Sequence, residues 1–105
     1  MNTVTLDQGL VPFAYESIAS SDTAQGLTLA TYTTGHKAQR AMITLETKSI
    51  RYRVDGGTPV ISPASGHKLD AGDVLNLNNY ADIAAFSFIS EVAGQAGTLR
   101  VTYYY

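Results

Sequence analysis

The sequence has 105 residues, of which 45% are hydrophobic and only 15% are charged, with a formal net charge of −2 and no cysteine. A chain of this length forms one domain with one core, and the absence of cysteine excludes disulfides and cysteine-ligated zinc. A slightly acidic chain with no long apolar run predicts neither a nucleic-acid partner nor a membrane partner. We therefore expect one soluble domain over residues 1–105, without an export leader.

The first 37 residues carry the weakest pattern. The stretches "PFAYESIA" at 12–19 and "LTLATYT" at 27–33 read as strands, and a serine-containing turn region at 19–23 separates them. We expect this part of the chain to form an extended arm plus one or two strands.

Strict alternation of apolar and polar residues begins after residue 40. Residues 41–46 and 50–54 both show the period of two that is typical of half-buried strands. In the second of these strands Arg51 and Arg53 fall on the face opposite the apolar row. The Asp-Gly pair that follows predicts a tight turn, because both residues tolerate positive φ.

The C-terminal half continues in the same manner. A Gly-Asp turn at 72–73 leads into a strand, "IAAFSFIS" at 83–90 is apolar on both faces, and "TLRVTYYY" at 98–105 alternates to the end. Residues 79–85 form at most one short helical turn, and no longer helical periodicity appears. Short strands separated by turns predict an all-β fold, an antiparallel β-sandwich that is jelly-roll-like or Ig-like.

The basic residues are concentrated in the middle of the chain. Residues 37–54 contain five basic side chains against one acidic side chain, while acidic residues dominate on both sides. Two arginines on one strand face can clamp a carboxylate or a phosphate, but nothing adjacent supplies a nucleophile or a base. A strand face that meets an acidic neighbour is the simpler interpretation, and the low charged fraction also favours a surface covered by partners.

The residues that could carry catalysis or hold a metal are few. His36 and His67 each follow a glycine, and Ser65, His67 and Asp70 are too close in sequence to converge readily as a triad. "HKLDAGD" contains one histidine where a cupin metal motif needs several. The aspartates at 70, 73 and 82 match no calcium loop spacing. We expect no catalytic residue, no metal and no cofactor.

The seven tyrosines, three of which end the chain, are the other distinctive feature. Tyrosine combines apolar area with a hydroxyl and is enriched at protein and carbohydrate contacts. The terminal tyrosines therefore predict either a strand that alternates between two faces or an anchor that contacts a neighbour.

Several motifs in their order resemble a group of small virion proteins of tailed bacteriophages and prophages. The motifs are "ITLET", "IRYRVDG" with "TP" close behind, "GHKLDAGD", a strand with alternating aromatics and the closing "GTLRVTYYY". The resemblance extends from about residue 38 to residue 103. It implies a non-enzymatic head decoration or cement protein, made in the bacterial host cytoplasm and bound to the outer capsid surface.

The resemblance also implies the partners. They are the major capsid protein and further copies of this chain, with a homotrimer favoured. Within that hypothesis the residues that we expect at the contacts are Arg40, Arg51, Arg53, Tyr103, Tyr104 and Tyr105. Two alternatives remain at this point: a tail- or fibre-associated module that binds host-surface glycans, and a degenerate cupin-like enzyme that would need a metal.

Overall fold

The computed structural model describes residues 10–105, which form eight strands and two short helices. The strands are β1 (Pro12–Ala19), β2 (Gln25–Gly26), β3 (Arg40–Glu46), β4 (Ile50–Arg53), β5 (His67–Leu69), β6 (Val74–Leu77), β7 (Ser87–Ser90) and β8 (Thr98–Tyr104). The helices are α1 (Leu29–Thr33) and α2 (Tyr80–Ala85). The predicted N-terminal arm falls in part on residues 1–9, which lie outside the described residues.

The strands form two antiparallel sheets. The first sheet has the order β1-β8-β3-β6 and the second has the order β2-β7-β4-β5. β1 pairs with β8, β2 with β7, β3 with β6 and β4 with β5. The two halves of the chain thus pair like the arms of one long hairpin, which folds over to form the two sheets. This is the jelly-roll arrangement. It confirms the expected β-sandwich and distinguishes it from the Ig-like alternative, in which the first and last strands lie in different sheets.

The core lies between the two sheets, where the predicted alternation holds. In the first sheet Ile43 lies opposite Val101 and Leu45 opposite Leu99, and all four side chains are buried. The second sheet contributes buried side chains from β4, β5 and β7, which are Ile50, Leu69 and Phe88. A side-chain period of two brings these residues to one face of each sheet.

The predicted strand at 27–33 is wrong. Its residues form the short connection after β2 and then helix α1. In α1, Tyr32 is buried and Leu29 is 60% exposed. Tyr32 packs against the rings of Tyr80 and Tyr103, with centroids 6.0 and 5.7 Å away. The β-branched threonines favoured a strand locally, but packing between the sheets decided the conformation.

The short helical turn near residue 80 is confirmed as α2. Asn79 caps it, because the side-chain oxygen of Asn79 accepts a hydrogen bond of 2.8 Å from the amide of Asp82. Ile83 on α2 is buried, and so are Phe86 and Phe88 immediately beyond it. α2 therefore closes one part of the core and delivers the chain into β7.

Candidate functional site

The six residues expected at contacts divide between the two sheets. Arg40 begins β3 in the first sheet, whereas Arg51 and Arg53 lie on β4 in the second sheet. Each precedes or follows an inward-facing residue, so the arginines point away from the core on opposite faces of the sandwich. The structure does not bring Arg40 to the other two. It places Arg40 opposite Tyr104 in the β3–β8 register.

Arg53 is engaged by its own chain. Its Nε and Nη2 donate to the two carboxylate oxygens of Asp55 at 2.9 and 2.6 Å, and the amide of Gly57 donates to the same carboxylate at 3.1 Å. These hydrogen bonds from Arg53 and then from Gly57 lower the pKa of Asp55 to about 2. The bidentate pair is the geometry that arginine prefers with a carboxylate.

Arg51 is also engaged within the chain. Its Nη1 donates to the carbonyl of Gly66 at 3.2 Å, and its Nη2 lies 3.8 Å from a carboxylate oxygen of Glu91. Its Nε is buried without a hydrogen-bond partner in the described part of the chain. The charges of Arg51 and Arg53 are therefore compensated locally by Glu91 and Asp55.

A pocket opens where the connection of residues 54–66 leaves β4 and returns into β5. Its volume is about 430 Å³, and its lining residues are Arg53, Val54, Asp55, Ser65, Gly66 and His67. Gly66 has a φ of +113°, and a side chain there would also meet the backbone oxygen of Tyr52 at 3.0 Å. Only glycine fits this turn without strain, so the sequence at Gly66 allows the connection to fold back beside β4.

A serine, a histidine and an aspartate line this pocket, but they do not form a triad. The carboxylate of Asp55 is held by Arg53 and Gly57, and the residues described show no hydrogen bond between Ser65 and His67. Asp70, the acid nearest to them in sequence, instead accepts a hydrogen bond of 2.8 Å from Ser49. Within residues 10–105 no group of three or more potential ligands is placed to hold a metal ion.

The terminal tyrosines differ from the predicted alternation. Tyr103 is buried as expected, and its hydroxyl donates to the carboxylate of Glu16. Burial, and next the hydrogen bond to Glu16, raise the pKa of Tyr103 far above the usual tyrosine value. The alternation places Tyr105 on the face of Tyr103 and Tyr104 on the other face, yet Tyr104 is only 8% exposed and Tyr105 is 36% exposed. Of the three, Tyr105 is the one that presents substantial surface.

Tyr105 belongs to an aromatic cluster that sequence reasoning missed. Its ring stacks on His36, with centroids 3.4 Å apart and planes 6° apart, and Phe13 meets both rings edge-on. Val11, which is 49% exposed, exchanges two backbone hydrogen bonds with Tyr105 at 2.8 and 2.9 Å. We call Val11, Phe13, His36 and Tyr105 the end patch. The pairing of β8 with β1 on one side and with β3 on the other assembles it, and no local sequence signal could have shown this.

The ionisable groups beside the end patch on the same stretch of chain are basic. Lys37 directly follows His36, and its Nζ lies 4.2 Å from the centroid of the Tyr80 ring, a cation–π contact. Arg40 lies opposite Tyr104, the last residue of β8. The end patch is thus an exposed aromatic and apolar surface with Lys37 next to it in the sequence.

No protein-family model, no curated protein and no solved structure matches this chain. The longer described helix, α2, has six residues, and none of the helices within residues 10–105 is long and apolar enough to cross a membrane.

Proposed function

We propose that this protein is a non-enzymatic structural component of a bacteriophage virion, a decoration or cement protein bound to the outer surface of the capsid. The resemblance of its motifs to small virion proteins supports this function, and the fold is compatible with it, since jelly rolls are recurrent in viral capsid proteins. In this proposal the partners are the major capsid protein and further copies of this chain, with the trimer carried over from the resemblance.

The end patch is the observation that carries the proposal, because it offers a contact surface. Tyr105 and His36 form a stacked pair, and aromatic side chains of this kind act as anchors at protein interfaces. Lys37, which directly follows His36, favours an acidic partner surface through charge complementarity. Arg51 and Arg53 already meet carboxylates of their own chain. We therefore assign the capsid contact to the end patch and not to the β4 arginines.

Many copies make a modest contact sufficient. Each chain needs only a contact of standard size, about 800 Å² per partner. Repetition around a symmetry axis and over a shell then raises the total strength through multivalency. The protein would tie neighbouring capsid subunits together without any chemical step.

The test begins with location. Particles from the source are labelled with an antibody to this chain and viewed by negative-stain electron microscopy. Label spread over the heads is the expected result. Label on tails alone, or on no particle, would overturn the capsid assignment. The mass of the purified chain, measured by light scattering, tests the trimer separately.

The surface is tested by co-sedimentation of the purified chain with capsids that lack it. Tyr105→Ser should weaken binding by about tenfold or more, as expected for an aromatic anchor. Tyr15→Ser is the matched control, because Tyr15 is 55% exposed on the outer face of the first sheet. The double variant Arg51→Gln/Arg53→Gln should bind like the parent. Loss of binding in the arginine variant with retention in Tyr105→Ser would move the contact to β4.

A further inference from the structure

The pocket beside β4 and β5 is separate from the end patch, and the proposed capsid contact does not use it. Its volume of about 430 Å³ lies within the range of small-molecule sites, which is roughly 300–1,000 Å³. Its walls combine polar and apolar surface in similar amounts, and they come from the two ends of the connection formed by residues 54–66.

The charge in the pocket is balanced. Arg53 and Asp55 neutralise each other through two hydrogen bonds, and Arg51, which donates to the carbonyl of Gly66, is paired with Glu91. An anionic ligand would have to compete with Asp55 for the guanidinium of Arg53, and a cationic ligand would have to compete with Arg53 for the carboxylate. A neutral ligand needs neither exchange.

The remaining hydrogen-bonding groups are mixed donors and acceptors. Arg53 uses Nε and one N–H of Nη2 on Asp55, which leaves the two N–H groups of Nη1 and the second of Nη2. A carboxylate accepts more hydrogen bonds than Asp55 receives here. Ser65 supplies a hydroxyl and His67 a ring nitrogen. Neighbouring hydroxyl groups of a sugar each donate and accept, so they match such a set.

The pocket also has an apolar side and a fixed geometry. Val54 lies on its wall and packs against the core, and the ring of Tyr52 lies 5.5 Å from the ring of His67. The Arg53 guanidinium occupies the space where a side chain at residue 57 would begin, since a Cβ on Gly57 would lie 2.3 Å from its Cζ. Glycine at this position therefore lets Arg53 lie flat over the turn and reach Asp55.

From the cavity, its neutral charge and these donors and acceptors, we propose that the pocket is a binding site for a neutral saccharide unit. The Arg53–Asp55 pair binds adjacent hydroxyl groups, Ser65 and His67 add one contact each, and Val54 meets the apolar face of the ring. This site differs from the tyrosine-based glycan surface expected from the sequence, because none of the terminal tyrosines lines it.

The test is titration of the full ¹⁵N-labelled chain with glucose, galactose, mannose and N-acetylglucosamine, followed by amide chemical shifts. Saturable shifts are expected at Gly57, Ser65, Gly66 and His67 for at least one sugar, with a dissociation constant on the order of 1 mM for a ligand of this size. Asp55→Asn and Gly57→Ala should each weaken binding about tenfold. Asp70→Asn, an exposed aspartate outside the pocket, should bind like the parent.

The contrary outcomes are equally specific. No saturable shift with any of the four sugars, or binding that Asp55→Asn leaves unchanged, would overturn the site. Inorganic phosphate is the second probe. Saturable binding of phosphate without saturable binding of a sugar would overturn the proposal that the ligand is neutral. Unchanged shifts in the rest of the spectrum establish that each variant is folded.

Discussion

The hydroxyl of Tyr103 donates a hydrogen bond to the carboxylate of Glu16. This bond joins β1 and β8, the first and last strands of the chain, on the side that faces the core. Glu16 lies opposite Val101 in the β1–β8 register, on the face that packs into the core. Its second partner is the amide of Thr28, at 3.2 Å, just before α1. An acidic side chain on an inward face thus holds β1, β8 and the entrance to α1 together.

Removing the Tyr103 hydroxyl should destabilise the protein. Tyr103→Phe leaves Glu16 with the Thr28 amide alone, and hydrogen bonds to charged groups contribute about 1.5–3 kcal/mol. We expect the free energy of unfolding in urea at pH 7 to fall by about that amount. Tyr104→Phe is the control, since the described residues show no hydrogen bond to its hydroxyl, and its effect should stay within about 0.5 kcal/mol.

The same pair predicts the response to alkaline pH. The folded state raises the pKa of Tyr103 above the ordinary tyrosine value of 10.0, so its contribution to stability is complete below about pH 10 and is lost as the pH rises further. The parent should therefore lose more stability between pH 9 and pH 11 than Tyr103→Phe does. Identical pH dependence in the two proteins would contradict the assignment.

Asp55 should titrate unusually low. Carbon-13 NMR of its carboxyl group should give a midpoint near pH 2, and Arg53→Gln should move that midpoint towards the ordinary value of 3.8. Because the folded state lowers this pKa, any stability from the pair is present above about pH 3.8 and is lost as the pH falls towards 2. The pKa of Asp70, lowered by Ser49 and Lys68, should not respond to Arg53→Gln.

Gly97 should tolerate no side chain. A Cβ there would lie 2.3 Å from the carbonyl oxygen of Lys48 and 3.1 Å from a methyl group of Leu45, so Gly97→Ala must push two backbone segments apart. We expect a loss of about 3 kcal/mol or more in urea denaturation. Gly72 has a φ of +95°, and a Cβ there would meet no atom within 4 Å. Gly72→Ala should therefore cost only about 1–2 kcal/mol, from backbone strain alone. The reverse ranking would count against the close approach at Gly97.

The buried serines should be coupled. The hydroxyls of Ser20 and Ser90 lie 2.8 Å apart, and the amide of Gly97 donates to Ser20 at 2.8 Å. Ser20→Ala leaves two groups without a partner and should cost about 2–3 kcal/mol, whereas Ser90→Ala should cost about 1 kcal/mol. The double variant should lose less than the sum of the two, as measured by a double-mutant cycle. Strict additivity would show that the two hydroxyls do not interact.

The strands that alternate were predictable because the period of two is a local property. The expected strands at 41–46 and 50–54 became β3 and β4, and the outward face of Arg51 and Arg53 followed from the same pattern. The faces that the residues of β1 occupy did not follow from the pattern. There Tyr15 is 55% exposed while Glu16 faces inward, and a register shift between Pro12 and Ala14 changes the alternation.

The candidate sites were predictable only where they are local. Arg53 and Asp55 are two residues apart, so their pairing could have been inferred from the sequence. Ser65 and His67 reach the same pocket only because the connection of residues 54–66 folds back. Tyr105 meets His36 only because β8 pairs with β3, the strand that follows His36. Contacts between residues far apart in the chain depend on topology, which single-residue patterns do not encode.

The position of β8 between β1 and β3 has a consequence for how the protein is made. β8 leaves the ribosome after every strand with which it pairs, and until it arrives β1 has no neighbour in the first sheet and β3 has only β6. The nascent chain therefore carries exposed apolar strand faces throughout its synthesis, and the core closes only in a late step between residues distant in sequence. Yield in a cell should depend on protection of the growing chain more than on the stability of the finished fold.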